Sequence, residues 1–209
     1  MPKSQEALAR LIEGEGLSNG RIAEAFRRVD RADFVPADLK SEAYLDRPVS
    51  LPQHQTTSQP SLIARMIDAA RISPDDRVLE VGTGYGFQTA VIAQVAGEVV
   101  SVERFDALAD AARRNLARIG VTNADVVVGD GWVGVPGRGP FAAIIVSAVA
   151  DELPNALIEQ LDEGGRLVIP LKARGSDEVL LFEKREGRAV QTRLVTPARF
   201  VPLVRSVAE

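Results

Sequence analysis

Residues 78–88 read VLEVGTGYGFQ, in which a run of apolar residues leads into an acidic residue and then into glycines at positions 82, 84 and 86. Apolar strand formers followed by a glycine-rich turn are typical of the first strand and loop of an open α/β sheet. In such sheets, ligands bind beyond the carboxyl ends of the strands. The stretch therefore predicts a ligand-binding loop at the end of a buried strand.

After residue 74 the chain alternates between strand-like and helix-like patterns. The strand-like segments are RVLEV, EVVSVE, ADVVVGD, FAAIIVS and GRLVIPL, and helical spacing of apolar residues marks 87–96, 105–119 and 154–161. Continuous Val, Ile and Leu runs that alternate with helices are typical of a parallel sheet covered on both faces. EVLLFEK and AVQTRLV around the turn EGR predict a hairpin, and ARFVPLV predicts a last strand. We therefore predict an α/β fold, a Rossmann-like doubly wound sheet that is mostly parallel with antiparallel C-terminal strands.

The first 70 residues have a different pattern. Apolar residues at helical spacing predict two short helices between Gln5 and Arg28, and the proline-rich segment 35–60 predicts a long irregular connector. Loops of this length are usually functional. A helix from Ser61 to Ala70 is expected to follow. We therefore divide the chain into a helical N-terminal appendage with an acceptor loop, residues 1–70, and a ligand-binding core with the C-terminal hairpin and final strand, residues 71–209.

Composition narrows the class of protein. The 209 residues carry a net charge of -4, contain no cysteine, and include no run of the roughly 18 apolar residues that a membrane helix requires. Without cysteine there are no thiolate metal sites and no thiol nucleophiles. The basic residues are dispersed, which argues against a nucleic-acid partner. We expect a cytoplasmic monomer with no metal and no membrane or nucleic-acid partner.

The glycine spacing and Glu80 indicate which ligand the loop binds. A dinucleotide fingerprint needs its third glycine three residues after the second, at the position where this chain has Phe87. A carboxylate at Glu80 would repel a pyrophosphate and would attract an ammonium or sulfonium group. The pattern therefore disfavours a nicotinamide-dependent dehydrogenase and favours a cationic ligand.

Two further acidic residues follow successive strands. Glu103 lies 21 residues after Gly82, at the distance where an acidic side chain takes the two hydroxyls of a ribose. Asp130, in GDG after the third strand, could accept a hydrogen bond from an adenine amino group. An adenosine with a positively charged amino-acid tail is S-adenosyl-L-methionine, and the three acids fit it part by part. The alternative is that the glycines serve tight packing and the acids are solvated residues or helix caps.

Other motifs are more particular than the glycine loop. They are AFRRVDRADFVP, AYLDRP, QTTSQPSLIARM, VLEVGTGYGFQTAVIA, VVSVER, GDG, AAIIVSAVADELPNALIEQLDEGGRLVIPL and RFVPLV. With these motifs the sequence resembles the protein-L-isoaspartate O-methyltransferases, a family of class I S-adenosylmethionine-dependent enzymes. On the matching positions, the candidate cofactor-binding residues are Glu80, Gly82, Thr83, Gly84, Gly86, Gln88, Glu103, Arg104, Asp130 and Gly131.

The resemblance implies methyl transfer from S-adenosyl-L-methionine to the free carboxylate of L-isoaspartyl residues in damaged proteins or peptides, with S-adenosyl-L-homocysteine as product. The methyl ester then collapses to a succinimide that can reopen as normal aspartate. Ser58 matches the serine treated as the active-site residue, and Thr56, Thr57 and Gln59 match neighbours that line the meeting place of acceptor and cofactor. A carboxylate has a reference pKa near about 4 and is ionised at neutral pH, so the reaction needs no general base.

The lone histidine and its surroundings depart from the family pattern. His54 is a candidate substrate-binding residue, although the family usually has glycine at this position and at Pro52. The change leaves open a relative that methylates an aspartate of one dedicated peptide. A non-catalytic module that senses S-adenosylmethionine is a third alternative, which the intact Ser58 disfavours. Ser58 could also serve only as a helix N-cap ahead of Pro60.

Overall fold

The computed structural model describes residues 4–205. Its first part consists of helix α1 (Gln5–Glu13), helix α2 (Arg21–Arg28), two 3-10 turns (Arg31–Phe34 and Ala37–Glu42), a hairpin of β1 (Val49–Ser50) and β2 (Thr56–Thr57), and helix α3 (Pro60–Ala70). The two predicted N-terminal helices and the helix that follows the connector are confirmed. The connector itself is more regular than predicted, because the 3-10 turns and the hairpin occupy much of it.

The second part forms a seven-stranded sheet with helices between its strands. Its elements are β3 (Arg77–Val81), α4 (Phe87–Ala93), β4 (Glu98–Glu103), α5 (Asp106–Arg118), β5 (Ala124–Val128), β6 (Phe141–Val146), α6 (Asn155–Glu159), β7 (Leu161–Leu171), β8 (Asp177–Arg185) and β9 (Arg188–Ala198). The strand order is β5-β4-β3-β6-β7-β8-β9. The first five strands in this order, from β5 to β7, are parallel to one another. Strands β8 and β9 are antiparallel to their neighbours. The predicted mostly parallel sheet with antiparallel C-terminal strands is confirmed.

The order of the strands determines where a crevice forms. From β3 the chain moves outward through β4 to β5, and then it returns to the other side of β3 as β6. The connections on the two sides therefore leave the sheet in opposite directions between β3 and β6. In open α/β sheets, ligands bind in the crevice at this point.

Alternate residues of each strand pack against opposite faces of the sheet. Val78 of β3 belongs to one buried cluster together with residues of helices α1 to α5, whereas Leu79 belongs to a second cluster that contains Leu157 of α6. The sheet is therefore covered on both faces. Leu8 of α1 and Val168 of β7 lie in the same cluster, so the N-terminal helices share a core with the sheet. The division of the chain at residue 70 stays a prediction.

The segment ARFVPLV does not form the predicted last strand of the sheet. Strand β9 ends at Ala198, and the following residues pass over the carboxyl end of the sheet instead. Val201 accepts a hydrogen bond from the N–H of Val149 at 2.9 Å, and the N–H of Leu203 donates to the carbonyl of Val149 at 2.8 Å. The pairing is a single parallel bridge between Val149 and Pro202. We call residues 199–205 the C-terminal tail.

A buried acid joins four parts of the fold. Glu80 of β3 is 0% exposed, and its carboxylate accepts hydrogen bonds from the hydroxyls of Thr89 in α4 and Ser101 in β4. Thr83 of the glycine loop belongs to the same group, since its hydroxyl lies 2.5 Å from that of Ser101. Burial raises the pKa of Glu80 to about 7, and the hydrogen bonds oppose the rise. Glu80 therefore connects β3, β4, α4 and the loop.

We expect Glu80→Gln to change how the free energy of unfolding depends on pH. The pKa of Glu80 is about 7 in the folded protein, against an ordinary value of 4.5. Because folding favours the protonated carboxyl, Glu80 stabilises the folded protein fully at pH values below its ordinary pKa. This stabilisation is lost as the pH rises through the pKa of the folded state. The loss is roughly 3 kcal/mol. Urea denaturation between about pH 5 and pH 8 should show a clearly smaller loss in Glu80→Gln than in the wild type. Glu103, whose pKa burial also raises, keeps its own part of the pH dependence in the variant.

Glu98→Gln is the matched control, because Glu98 begins the neighbouring strand β4 and its hydrogen bond with Arg77 lowers its pKa. A group with a lowered pKa contributes stability that is lost only as the pH falls. The free energy of unfolding of Glu98→Gln should therefore depend on pH as in the wild type between about pH 5 and pH 8. Parallel curves for the wild type and Glu80→Gln would contradict the prediction.

Candidate active site

A cleft lies beyond the carboxyl ends of β3, β4 and β6, where the strand order predicts a ligand. It encloses about 790 Å³, part of it open to solvent. The predicted site residues on its walls are Thr56, Thr57, Ser58, Gly82, Thr83, Gly84, Gln88, Glu103, Arg104 and Gly131. We call the proline-rich segment 35–60 the acceptor loop and residues 82–86 the glycine loop. These two segments, which are distant in sequence, meet in one cavity.

The glycine loop turns tightly because its glycines adopt left-handed backbone angles. The angle φ is 96° at Gly82 and 56° at Gly84, values that residues with a side chain rarely adopt. A Cβ atom on Gly84 would also lie 3.2 Å from Cδ1 of Leu51. The two glycines thus allow bare backbone to form this wall of the cleft, and a ligand can approach it closely.

Glu103, the last residue of β4, places a carboxylate on the cleft wall. It is 6% exposed, and its Oε2 accepts the N–H of Gly84 at 2.9 Å while its Oε1 accepts the N–H of Phe105 at 3.1 Å. Burial raises the pKa of Glu103, and the backbone N–H groups that it accepts oppose the rise. Each carboxylate oxygen can accept a second hydrogen bond. Glu103 can therefore take two adjacent hydroxyl groups of a ribose.

Ser58 lies between β2 and α3 and contributes to the wall that the acceptor loop forms. The N-cap of α3 is Gln59, so the alternative that Ser58 caps this helix is wrong. Across residues 4–205, no group hydrogen-bonds to the Ser58 hydroxyl, whereas the Ser58 carbonyl accepts a hydrogen bond from Arg31 at 3.0 Å. The backbone of Ser58 is thus fixed while its hydroxyl is available to a ligand.

A second cavity continues from the cleft at Ser58. It encloses about 1060 Å³, part of it open to solvent, and it shares Thr56, Ser58, Ser147 and Val201 with the cleft. Its remaining walls come from the segment before the hairpin, from α3 and the residue before it, from the loop between β7 and β8, and from the end of β9 with the C-terminal tail. They include Pro48, Gln59, Leu62, Arg65, Ser176, Thr196, Pro197, Ala198, Arg199 and Phe200. We call this cavity the acceptor groove, because an extended peptide could lie in it while one of its residues enters the cleft.

Glu80 and Gly86 belong to the predicted cofactor-binding residues but do not line the cleft. The carboxylate of Glu80 does not face the cleft, because it is buried behind the glycine loop and its Oε2 accepts hydrogen bonds from two hydroxyl groups. Gly86 is the N-cap of α4, with φ of 91°, and a Cβ atom there would lie 3.3 Å from Cβ of Ala112. Both residues shape the loop from behind, and a role in cofactor binding stays a prediction.

Asp130 and His54 also lie off the walls of the cleft and the groove. Asp130 accepts the N–H of Trp132 at 2.8 Å, next to Gly131, which does line the cleft. His54 is exposed in the turn between β1 and β2, with φ of 56°. The roles expected for Asp130 with adenine and for His54 with the acceptor stay predictions.

Sequence reasoning missed two parts of the cleft wall. Ser147 follows β6, and its hydroxyl accepts a hydrogen bond from Nε2 of Gln88 at 2.9 Å. The rule that ligands bind at strand ends applies to this strand as well and could have identified the residue. Residues 201–204 of the C-terminal tail form another wall. The apolar pattern of RFVPLV predicts a strand rather than a cleft wall.

The described residues, 4–205, contain neither a metal-binding group nor a membrane-spanning helix. No group of three or more His, Asp or Glu side chains could hold a metal ion. No helix is both long enough and apolar enough to cross a membrane.

Known proteins match this chain along nearly its whole length. The family described as protein-L-isoaspartate(D-aspartate) O-methyltransferase matches residues 3–208. The protein-L-isoaspartate O-methyltransferase of Methanoculleus marisnigri is 46% identical over 200 residues, which cover 96% of this chain and 90% of the relative. The enzyme of the same name from Yersinia enterocolitica is 40% identical over 203 residues, which cover 97% of each chain.

Solved structures show the same similarity. A protein-L-isoaspartate O-methyltransferase superposes with a TM-score of 0.85 at 33% identity; the match covers 95% of this chain and 65% of that longer chain. A Plasmodium falciparum structure named for the same activity, in complex with S-adenosyl-L-homocysteine, has a TM-score of 0.84 at 24% identity and shows the shared fold. With its fold, its cleft and its match over residues 3–208, the chain belongs to the protein-L-isoaspartate(D-aspartate) O-methyltransferase family.

Proposed function

We propose that this chain transfers the methyl group of S-adenosyl-L-methionine to the free carboxylate of L-isoaspartyl residues in damaged proteins or peptides, as a step of protein repair. One observation carries the proposal: the cleft that contains Glu103 and the glycine loop also contains Ser58, and at Ser58 it continues into the acceptor groove. A cofactor and a peptide can therefore meet at one point. The curated relatives are named for this activity.

The cofactor half of the cleft fits an adenosine compound with a charged tail. Glu103 has acceptor capacity left after its two backbone hydrogen bonds, and it would hold the ribose hydroxyls. Gly82 and Gly84 present a wall without side chains, which would hold the rest of the cofactor closely. When bound, S-adenosyl-L-methionine supplies a methyl group on a positively charged sulfur. None of the described residues is needed to bind a metal in this scheme.

The acceptor half has to orient a group that is already reactive. An ionised carboxylate needs no proton removed, so the chain supplies position rather than a base. The Ser58 hydroxyl would donate a hydrogen bond to one carboxylate oxygen and leave the other to attack the methyl carbon. Apolar residues of the C-terminal tail, such as Val201 and Leu203, wall the cleft and would exclude water from it. Such orientation can lower a barrier by roughly 7 to 11 kcal/mol.

The departures at Pro52 and His54 do not favour a dedicated-peptide enzyme. Gln53 and His54 have φ of 61° and 56°, the two left-handed positions of a tight hairpin turn at which glycine is favoured. The side chains of Pro52, Gln53 and His54 are all exposed, and none of them lines the cleft or the groove. The substitutions therefore change the turn rather than the walls that would contact a peptide. A sensor module is disfavoured as well, because it would have no use for the acceptor groove or an available Ser58 hydroxyl.

The finer expectations about partners belong to the same proposal. The net charge of -4 and the dispersed basic residues support the absence of a nucleic-acid partner. A monomeric state and a cytoplasmic location stay predictions from composition.

Methyl transfer from labelled S-adenosyl-L-methionine to a synthetic isoaspartyl peptide tests the proposal directly. We expect label in this peptide and none in the matching peptide with normal aspartate. The free carboxylate of an isoaspartyl residue is attached one carbon closer to the main chain, so a groove that positions the main chain places only one of the two carboxylates correctly. Equal labelling of both peptides, or of neither, would refute the proposal.

We expect Glu103→Ala to weaken binding of S-adenosyl-L-homocysteine by roughly 1 to 3 kcal/mol, because the ribose hydroxyls lose a charged acceptor. Isothermal titration calorimetry measures the change, and NAD should give no heat with either protein. Glu98→Ala is the matched control, since Glu98 is an acid at the opposite end of the same strand. Unchanged affinity in a folded Glu103→Ala would show that the assignment is wrong.

We expect Ser58→Ala to lower kcat for the isoaspartyl peptide roughly 10- to 100-fold, the effect of one hydrogen bond to a charged group. The dissociation constant of S-adenosyl-L-homocysteine should stay within about twofold, because only the acceptor half loses a contact. Steady-state kinetics and calorimetry measure the two quantities. Ser50→Ala, an exposed serine of the same hairpin, is the control. A kcat equal to that of the control would exclude Ser58 from the reaction.

A further inference from the structure

Arg31 is a cation buried completely inside the protein. It is 0% exposed and begins the first 3-10 turn, after α2. Within residues 4–205 it has no salt bridge, and the guanidinium donates its hydrogen bonds to backbone carbonyls instead. Burial lowers the pKa of Arg31 to about 10, which Asp46 opposes, so the side chain is charged at neutral pH. Burying a charge that has no salt bridge is unfavourable, and an apolar side chain of similar volume is often the more stable choice.

The four carbonyls that Arg31 contacts all lie in the acceptor loop. Nη1 donates to the carbonyls of Ala43 at 3.0 Å and Leu45 at 3.1 Å. Nη2 donates to the carbonyls of Arg47 at 3.2 Å and Ser58 at 3.0 Å. One planar group therefore joins the segment before the β1–β2 hairpin to the residue immediately after it. The fork of a guanidinium can satisfy such a set of acceptors, whereas the compact ammonium of lysine cannot.

The same guanidinium also lies over an aromatic ring in the cofactor half of the cleft. Its Cζ atom is 5.6 Å from the centre of the Phe87 ring, a distance typical of a cation–π contact. Phe87 directly follows Gly86 of the glycine loop, begins α4 and lines the cleft. Arg31 is therefore in contact with both halves of the site, with the backbone of Ser58 through a hydrogen bond and with Phe87, next to the glycine loop, through the cation–π contact.

We propose that Arg31 is a positioning residue for methyl transfer, which sets the distance and orientation of Ser58 relative to the glycine loop. The inference rests on the proposed function, because it assigns Ser58 the task of orienting the acceptor. It does not give Arg31 a contact with either reactant. The competing explanation is that Arg31 only stabilises the acceptor loop, without influence on the reaction.

Arg21 offers a matched control for this distinction. Its Nη2 also donates to two backbone carbonyls, those of Ile72 at 2.9 Å and Val95 at 3.1 Å. None of these residues lines the cleft or the groove. Arg21→Lys therefore removes a similar set of arginine–carbonyl bonds at a place where only stability should suffer.

The test compares Arg31→Lys and Arg21→Lys in the full chain with the isoaspartyl peptide. We expect Arg31→Lys to lower kcat roughly 10- to 100-fold, since a misplacement of about 1 Å can cost that much. The peptide KM and the dissociation constant of S-adenosyl-L-homocysteine should stay within about threefold. Arg21→Lys should lower the melting temperature and leave kcat within about twofold.

Hydrogen exchange supplies a readout that does not depend on activity. Amides of residues 43–58 should exchange at least about tenfold faster in Arg31→Lys and at the wild-type rate in Arg21→Lys. If the wild type shows no methyl transfer, the proposed function fails, and this measurement still decides whether Arg31 fixes the acceptor loop. Wild-type kcat in Arg31→Lys would overturn the inference, and so would a loss of cofactor affinity in proportion to the loss of rate.

Phe87→Leu is the second variant in case Arg31→Lys does not fold. It keeps the four carbonyl hydrogen bonds and removes the ring beneath the guanidinium. We expect a several-fold lower kcat with an unchanged peptide KM and an unchanged affinity for S-adenosyl-L-homocysteine. An unchanged kcat in this variant would equally overturn the inference.

Discussion

The hydrogen bond from the N–H of Gly84 to Oε2 of Glu103, 2.9 Å long, connects the turn after β3 to the end of β4. Two backbone hydrogen bonds extend this connection, from Gly82 to the carbonyl of Val102 and from Ser147 to the carbonyl of Val81. Strands β4, β3 and β6 therefore end side by side at one edge of the sheet. The turn after β3 is confined there, and its glycines adopt the left-handed backbone angles that it requires. The cofactor half of the cleft follows from this constraint, because the groups on its wall are attached to these three strand ends.

Each half of the cleft has one buried ionisable side chain behind it. Glu80 lies behind the glycine loop and accepts hydroxyl groups, whereas Arg31 lies behind the acceptor loop and donates to carbonyls. Apolar packing is not directional, so it fills space without fixing the angle of a loop. Hydrogen bonds to a buried charge are directional, and in a low dielectric they are strong. The protein therefore holds both walls of the cleft with buried polar groups that do not themselves line it.

The fold could be predicted from the sequence because the spacing of apolar residues reports which faces are buried. The positions of the glycine loop and Glu103 follow from the strand ends, whereas Ser58 and its neighbours come from the resemblance to the family. The C-terminal tail has the alternating apolar residues of a strand, Val201 and Leu203, which predicts a last strand of the sheet. Local sequence does not show which segment the tail pairs with, so its course over the cleft could not be predicted. The orientation of Glu80 could not be predicted, since strand alternation gives the face of a side chain and not its contacts. The role of Arg31 could not be predicted from the sequence. Its hydrogen-bond acceptors are backbone carbonyls, which every residue has, so no pattern of partner side chains indicates them.

The C-terminal tail makes the formation of the cleft depend on the order of synthesis. Residues 201–204 contribute a wall to a cavity whose other walls begin at residue 55. A growing chain folds from its N-terminal part, so the segments that carry Ser58 and the glycine loop leave the ribosome long before the tail does. Until then the groups that would hold the cofactor and the acceptor face water on one side. A nascent or truncated chain therefore has the reactive residues but lacks the enclosure that would make them useful.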